Sequence, residues 1–253
     1  MNFLRGLFDF IVLYSNINFS ILLLNLRTIY HQKGKLYFYD KNQKKIYVKK
    51  NNTNFYILEK ERLNKYVLGF EERIKNLSNE YLINKLDISS EDYVIDCGAN
   101  IGEFRYCLPD NINYFGFEPS TKEFEILKKN INLKKSFVFN IGLWKKEDEI
   151  DLYINNKTAD TSFVMPKKFT TIKKSTVKRL DNIKDIINKK IKLLKIDAEG
   201  CELEVLQGST GIFPNIEYIT IDLGFERGIN EESPYDFVKD FLFLNQFEKV
   251  ASS

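Results

Sequence analysis

The chain has 253 residues, 43% of them hydrophobic, 14% aromatic and 29% charged. It is long enough for one sizeable core, or a core with a small satellite, and too apolar to be largely disordered. Twelve glycines and five prolines exclude collagen-like or linker-dominated architecture, and 38 basic against 35 acidic residues, a net charge of +3, make no electrostatic case for nucleic acid.

Cys97, Cys107 and Cys201 are too few and too scattered for a disulfide framework. Without a CxxC pair or a Cys/His cluster, no structural metal site is expected. Reduced thiols point to a cytoplasmic protein. The single histidine, His31, sits in the N-terminal segment, away from any motif, so Ser-His-Asp and Cys-His hydrolase arrangements are set aside.

Three regions follow in chain order: an apolar helical segment over 1–31, a small β-rich region with a linking helix over 32–89, and an α/β domain over 90–253. Between Asp9 and Arg27 the chain carries no charge, but Ser15, Asn16, Asn18 and Ser20 interrupt the apolar run. A membrane-spanning helix needs ~20 predominantly apolar residues. Residues 1–30 therefore read as a docking helix or pair, with peripheral membrane contact and then a true span as the alternatives. Residues 36–39, 45–48 and 54–58 read as strands, separated by the turn chemistry of Asp40-Lys-Asn and Asn51-Asn-Thr. The lysines at 41, 44, 45, 49 and 50 read as a solvated strand edge, a phosphate- or lipid-facing patch being the other reading. Leu63, Val67, Phe70, Ile74, Leu77 and Tyr81 recur at spacings of three and four and predict one amphipathic helix.

From residue 92, short apolar strands alternate with helical stretches, the pattern of a parallel sheet. Strands are expected at 93–96, 114–117, 137–140, 192–197 and 218–222. Ser120-Thr-Lys-Glu123 reads as a capping box opening a helix, a second helix carries Leu203 and Leu206 and closes at Gly208, and Pro234 occupies the first position of a third. Residues 141–190 are too long for a simple crossover. They predict extra strands at 150–154 and 162–165, a helix over 181–188, and a substrate-side element.

In doubly wound sheets ligands bind at the carboxyl ends of the strands. The first strand runs into Asp96-Cys-Gly98-Ala-Asn100-Ile-Gly102, a Gly-x-x-x-Gly turn expected to lead into a helix packed close to the strand. This is neither GxGxxG nor a phosphate-binding GxxxxGK[ST] loop. The second strand ends in Glu118, placed to accept both hydroxyls of a ribose. A carboxylate at Asp96 opposes the use of a helix N-terminus for pyrophosphate. It suits the cationic sulfonium and ammonium of S-adenosylmethionine (SAM) better than a nicotinamide dinucleotide.

These residues carry a family resemblance. Val94-Ile-Asp-Cys-Gly-Ala-Asn-Ile-Gly-Glu-Phe104, Phe117-Glu-Pro119 and Leu193-Leu-Lys-Ile-Asp-Ala-Glu-Gly-Cys-Glu-Leu-Glu-Val-Leu-Gln-Gly208 closely resemble the FkbM family of SAM-dependent methyltransferases, with Ile221-Asp-Leu-Gly-Phe-Glu-Arg-Gly228 as further family-like sequence. The resemblance covers about residues 60–250. It implies a Rossmann-like class I methyltransferase sheet with a small N-terminal α+β extension, and O-methylation of a sugar, glycan or glycosylated metabolite. The family sheet closes with two further strands. Here 247–251 can supply one, so the sheet is expected to lack its last strand or the chain to be truncated, and an inactive SAM-binding protein is the alternative function.

Carried over by position, Gly98, Asn100 and Gly102 match the SAM loop, Asp96 the acid that opens it, and Glu118 the ribose-binding acid. Asp197 and Glu199 match the acidic pair after the fourth strand, which holds the methionine end of the cofactor and faces substrate. Asp197 or Glu199 is the expected base, with cofactor ligand as the other reading of the same pair, ahead of Asp222 and Glu226. Lys195 is expected to be structural or on the surface. Cys97 and Cys201 are read as buried filler, and Trp144 and Tyr153 as core.

Overall fold

The uncharged N-terminal run folds as two helices, α1 (Asn2–Tyr14) and α2 (Ile17–Tyr30). Asn16 separates them because its Oδ1 accepts the Phe19 N–H at 3.0 Å, a side-chain cap that starts a new helix. The carbonyls of Leu13 and Ser15, orphaned at the end of α1, accept from the Lys60 ammonium at 3.4 and 2.7 Å. A three-stranded antiparallel meander follows: β1 (Tyr37–Asp40), β2 (Lys45–Lys50) and β3 (Thr53–Ile57). Its first turn closes as expected, with Asp40 Oδ1 accepting the N–H groups of Asn42 and Gln43. The computed structural model describes residues 2–50, 53–155 and 160–252, so Asn51-Asn52 of the second expected turn lie outside the described residues.

The stripe from Leu63 to Tyr81 is not one helix. It forms a 3-10 turn over Lys60–Tyr66 and a helix, α3 (Phe70–Glu80), separated at Gly69, which has φ +103°. Leu63, Val67, Phe70, Leu77 and Tyr81 are still buried. The periodicity thus reports which side faces a core, and the left-handed glycine decides where the helix begins. The chain divides into two compact units, Met1–Asn76 and Leu77–Ser253, and the boundary falls inside α3.

The second unit contains β4 (Tyr93–Cys97), β5 (Asn113–Phe117), α4 (Thr121–Asn130), β6 (Ser136–Phe139), β7 (Gly142–Leu143), β8 (Asp148–Asn155), β9 (Asp160–Ser162), β10 (Thr171–Lys178), β11 (Ile191–Ile196), α5 (Glu202–Gln207), β12 (Ile216–Ile221) and α6 (Tyr235–Leu244). Five strands form one all-parallel sheet in the order β12-β11-β4-β5-β6. The order reverses beside β4, which makes this the Rossmann-like, doubly wound arrangement expected from the sequence. Both faces are covered, as a parallel sheet requires. Val94, Tyr114 and Leu193 pack with Leu77, Phe104, Leu127 and Ile131 on one side. Their neighbours Ile95, Phe115 and Leu194 pack with Val205, Leu206, Ile212 and Val238 on the other.

Several local expectations are corrected. The segment after β4 is a four-residue 3-10 turn, Phe104–Cys107, instead of a helix. Gly102 accordingly lets α4 approach, since a Cβ there would meet the Ile131 side chain at 2.9 Å. The insertion holds a strand the sequence reading missed, β10, which pairs antiparallel with β8 in a sheet ordered β7-β10-β8-β9. Only Leu180–Asn182 of the expected helix near 181–188 is helical, as a 3-10 turn. Pro234 caps α6 from outside. Residues 247–252 form no strand.

Candidate functional site

The loops after the two central strands, β4 and β11, are pressed together. Gly98 follows β4 with φ +75°, and a Cβ there would lie 1.9 Å from the Asp197 carbonyl oxygen. The Asp197 N–H in turn donates to the Cys97 carbonyl at 3.1 Å. Only glycine permits this contact, which brings the Gly98–Gly102 turn beside Asp197 at the switch in strand order.

Beneath this contact lies a closed ionic cluster. Asp96, with no solvent exposure, accepts from the Tyr114 hydroxyl at 2.6 Å and faces the Lys195 ammonium at 3.0 Å. Lys195, 3% exposed, also donates to the carbonyl of Gly98 at 2.9 Å and approaches Asp197 Oδ2 at 3.6 Å. Tyr81 donates to the same Asp197 oxygen at 2.7 Å, and its ring lies 5.2 Å from the ammonium. Burial opposes the charge on Lys195, but Asp96, Tyr81 and Asp197 outweigh it and hold its pKa well above the ordinary lysine value. The expectation that Lys195 is structural or on the surface narrows to structural: it is the cation that the loop is built on. The cation Asp96 faces is Lys195, so its carboxylate supports the loop from below. The part-exposed carboxylate at this junction is Asp197.

Glu118 ends β5 and is almost fully enclosed. Its Oε2 accepts the Asn100 N–H and its Oε1 the Ser120 N–H, each at 2.8 Å. This changes the expected capping box: Glu118 takes the Ser120 N–H that Glu123 would reach, and Glu123 accepts from the Ser120 hydroxyl instead. Burial, only partly offset by these amides, pushes the Glu118 carboxyl up to about 8. Asn100, at φ 48°, turns the loop so that its amide meets Glu118. Glu118 is thereby the tie between the ends of β4 and β5.

After β11, Glu199 adopts φ 50°, a left-handed conformation that costs a non-glycine residue on the order of 1 kcal/mol. Three side chains hold it there. The Ser162 hydroxyl donates to the Glu199 carbonyl at 2.8 Å. Glu202 Oε1 accepts the N–H groups of Ala198 and Gly200 at 3.2 and 2.9 Å, and burial pushes the Glu202 carboxyl up to about 7. Arg227 pairs with both oxygens of Glu204 at 2.8 and 2.9 Å and donates to the Gly200 carbonyl at 2.5 Å. Gly200 is required because a Cβ would lie 2.6 Å from the Arg227 Cα.

A cleft of about 200 Å³ opens on this loop, with Glu199, Glu226, Phe225, Lys167 and Lys168 in its lining. Asp222, after β12, is half-buried; burial and the nearby Asp197 carboxylate raise its pKa above the usual carboxylate range. The ends of β11 and β12 thus bring Asp197, Glu199 and Asp222 to one side of the sheet.

The family model for the methyltransferase FkbM domain matches residues 96–249, the stretch that contains every loop described above. The chain belongs to the FkbM methyltransferase family. The FkbM domain is 27% identical over 157 residues to a hexuronic acid methyltransferase, AglP, of Haloferax volcanii, a match covering 60% of this chain and 65% of the relative. It is 23% identical over 229 residues to methyltransferase sdnD of Sordaria araneosa, covering 67% of this chain and 88% of that protein. The crystal structure of an FkbM methyltransferase from Methylobacillus flagellatus aligns with a TM-score of 0.46 at 18% identity, over 73% of this chain and 48% of the other.

Gly98, Asn100, Gly102, Asp96, Glu118, Asp197 and Glu199 are thus all placed at the carboxyl ends of β4, β5 and β11. Cys97 and Cys201 are buried, as read. Trp144 packs against Phe163, and Tyr153 against Phe169. Tyr81, Ser162 and Arg227 were not singled out, because each acts across the fold from a distant segment. Arg227 and its partner Glu204 both lie in the family-like stretches, but nothing in the sequence pairs them. No group of three or more His, Cys, Asp or Glu side chains able to hold a metal occurs among the described residues.

Proposed function

We propose that this FkbM domain is a SAM-dependent O-methyltransferase acting on a hydroxyl of a sugar, glycan or glycosylated metabolite. The observation that carries the reading is the contact of Gly98 with the Asp197 carbonyl, which sets a glycine turn, a part-exposed carboxylate and the Glu118 tie side by side. In this reading Gly98–Gly102 cradles the cofactor, Glu118 accepts from its ribose, and Asp197 faces its cationic methionine end while Tyr81 fixes the carboxylate. SAM when bound supplies a sulfonium-activated methyl group.

Glu199 is assigned as the base, because it lines the cleft while Asp197 is engaged by Tyr81 and Lys195. Its carboxylate would take the proton of the acceptor hydroxyl as that oxygen accepts the methyl group, and holding the hydroxyl in line would supply most of the acceleration. A hexuronic acid methyltransferase is among the relatives, which makes an acidic sugar the first acceptor to test.

The reading is tested by calorimetric titration with SAM and with NADH, followed by transfer of labelled methyl from SAM to hexuronic acids and neutral hexosides. Glu118→Gln should weaken SAM binding. Glu199→Gln should leave SAM binding intact and slow transfer by roughly a hundredfold or more. Absence of SAM binding by the folded protein sinks the assignment. SAM binding without transfer to any acceptor favours a non-catalytic SAM-binding protein.

A further inference from the structure

Helices α1 and α2 of the first unit each leave a row of large apolar side chains exposed. Leu7, Phe10, Ile11 and Tyr14 of α1 recur at helical spacing, and each is between 39% and 74% exposed. On α2, Phe19, Leu22, Leu26 and Ile29 do the same, each between 43% and 55% exposed. The inward side of α2 instead carries Ser20, Asn25 and Thr28, all buried. Their polar atoms are satisfied internally: the Ser20 hydroxyl donates to the Val12 carbonyl at 2.7 Å, Asn25 donates to the Tyr37 carbonyl and accepts the Leu36 and Tyr37 N–H groups, and Thr28 donates to the Gly34 carbonyl. An ion pair between the helices, Asp9 with Arg27 at 3.5 Å, is half-buried as well. Val12 and Leu24 are buried beside these polar groups, while the larger apolar side chains of both helices stay outside.

Charge selects the occupant of that outer surface. Residues 1–76 contain 14 basic and 6 acidic residues, a net +8, whereas residues 77–253 contain 24 and 29, a net −5. Between residues 10 and 50 the only acid is Asp40, against eight lysines and arginines, and Lys33 and Lys35 immediately follow α2 and are exposed. A second copy of the chain would bring two strongly positive units together. An anionic lipid surface satisfies both features, apolar side chains entering the interface and lysines meeting headgroups. The helices are 13 and 14 residues long, roughly 20 Å at 1.5 Å per residue, short of the ~30 Å hydrocarbon thickness. No described helix is long and apolar enough to cross a membrane.

We propose that the first unit lies on the surface of an anionic bilayer through the outward faces of α1 and α2, with the lysines that follow them as the electrostatic component. The inference does not depend on the methyl acceptor or on catalysis.

The test is flotation of the full chain with phosphatidylcholine vesicles and with vesicles in which phosphatidylglycerol replaces part of the phosphatidylcholine. The full chain should float with the phosphatidylglycerol vesicles and bind those of phosphatidylcholine alone much more weakly. Leu22→Gln with Leu26→Gln, two sites more than half exposed, should weaken binding roughly thirtyfold. Lys33→Ser with Lys35→Ser should weaken binding to the anionic vesicles by a similar factor, at ~1 kcal/mol per basic residue. Thermal unfolding followed by circular dichroism establishes that both variants fold. Three results overturn the proposal: no flotation with either vesicle, flotation unchanged in the leucine variant, or a dimer in sedimentation velocity that the leucine substitutions dissociate. Binding to RNA in place of vesicles, insensitive to the leucine pair, overturns it too.

Discussion

Lys195→Met is the most incisive single change in the second unit. The side chain is 3% exposed and meets Asp96, which has no exposure at all. Methionine preserves most of the volume but leaves the Asp96 carboxylate with the Tyr114 hydroxyl as its remaining partner, and removes the donor to the Gly98 carbonyl. Breaking one side of a buried ion pair costs ~3–5 kcal/mol, because the remaining charge stays buried and uncompensated. In a unit of this size each kcal/mol shifts the midpoint by ~2–4 °C, so the melting temperature should fall by roughly 6–20 °C. Asp96→Leu combined with Lys195→Met removes both charges and should recover most of that loss. The assay is thermal and urea unfolding of the single and double variants. A loss below about 1 kcal/mol in the single variant, or a double variant no more stable than the single, refutes the claim that this pair is a mutually dependent charge cluster. SAM titration of the double variant adds a second readout: a folded protein with weakened binding would place the pair under the Gly98 loop as a positioning element.

Gly98→Ala should lose more than ~3 kcal/mol or fail to fold, since the Cβ meets backbone at 1.9 Å and φ is +75°; an alanine variant with near-native urea midpoint would show that the two loops can separate. Arg227→Ala should cost ~2 kcal/mol, discounted from a fully buried pair because Arg227 is partly exposed, and should raise the KM for acceptor more than that for SAM, because Phe225 and Glu226 line the cleft. Glu118 and Glu202 have carboxyl pKa values raised to about 8 and about 7. A carboxyl raised in the folded state stabilises fully below its unfolded value, near 4.3, and loses that contribution as pH rises through its folded value. Urea stability should therefore decline from mildly acidic pH towards pH 8, and Glu202→Gln should flatten the part of the decline between about 4.3 and about 7. A pH-independent unfolding midpoint over that range would contradict the assignment.

How legible each feature was follows from how local its cause is. The five parallel strands were visible because each is a short apolar run bounded by turn residues, and the sheet buries both of its faces. The glycine turn, Glu118 and the Asp197-Ala-Glu199 motif were visible because strand ends in such a sheet collect ligand-binding groups, and the family resemblance rests on those same residues. The stripe from Leu63 to Tyr81 was also visible, but its division at Gly69 was not. A spacing pattern records burial alone, and a left-handed glycine can interrupt the helix without disturbing it. Strand β10 was hidden for the converse reason: Thr171-Ile-Lys-Lys-Ser-Thr-Val-Lys178 is mostly solvent-facing, and its pairing with β8 defines it.

The role of Lys195 could not be read from its position in the strand, where the residue alternation suggested only a face of the sheet. It becomes the central cation because β4, β11 and Tyr81 enclose it together. The net charge of +3 likewise concealed a +8 unit and a −5 unit, which only the division of the chain separates. Strands, the order in which motifs follow them and the chemistry those motifs offer are all legible along the chain, because they depend on neighbours within a few residues. Tertiary structure decided which charges neutralise one another, which carboxylate opens onto a cleft and which helical face is left outside, because those outcomes depend on groups brought together from distant parts of the chain.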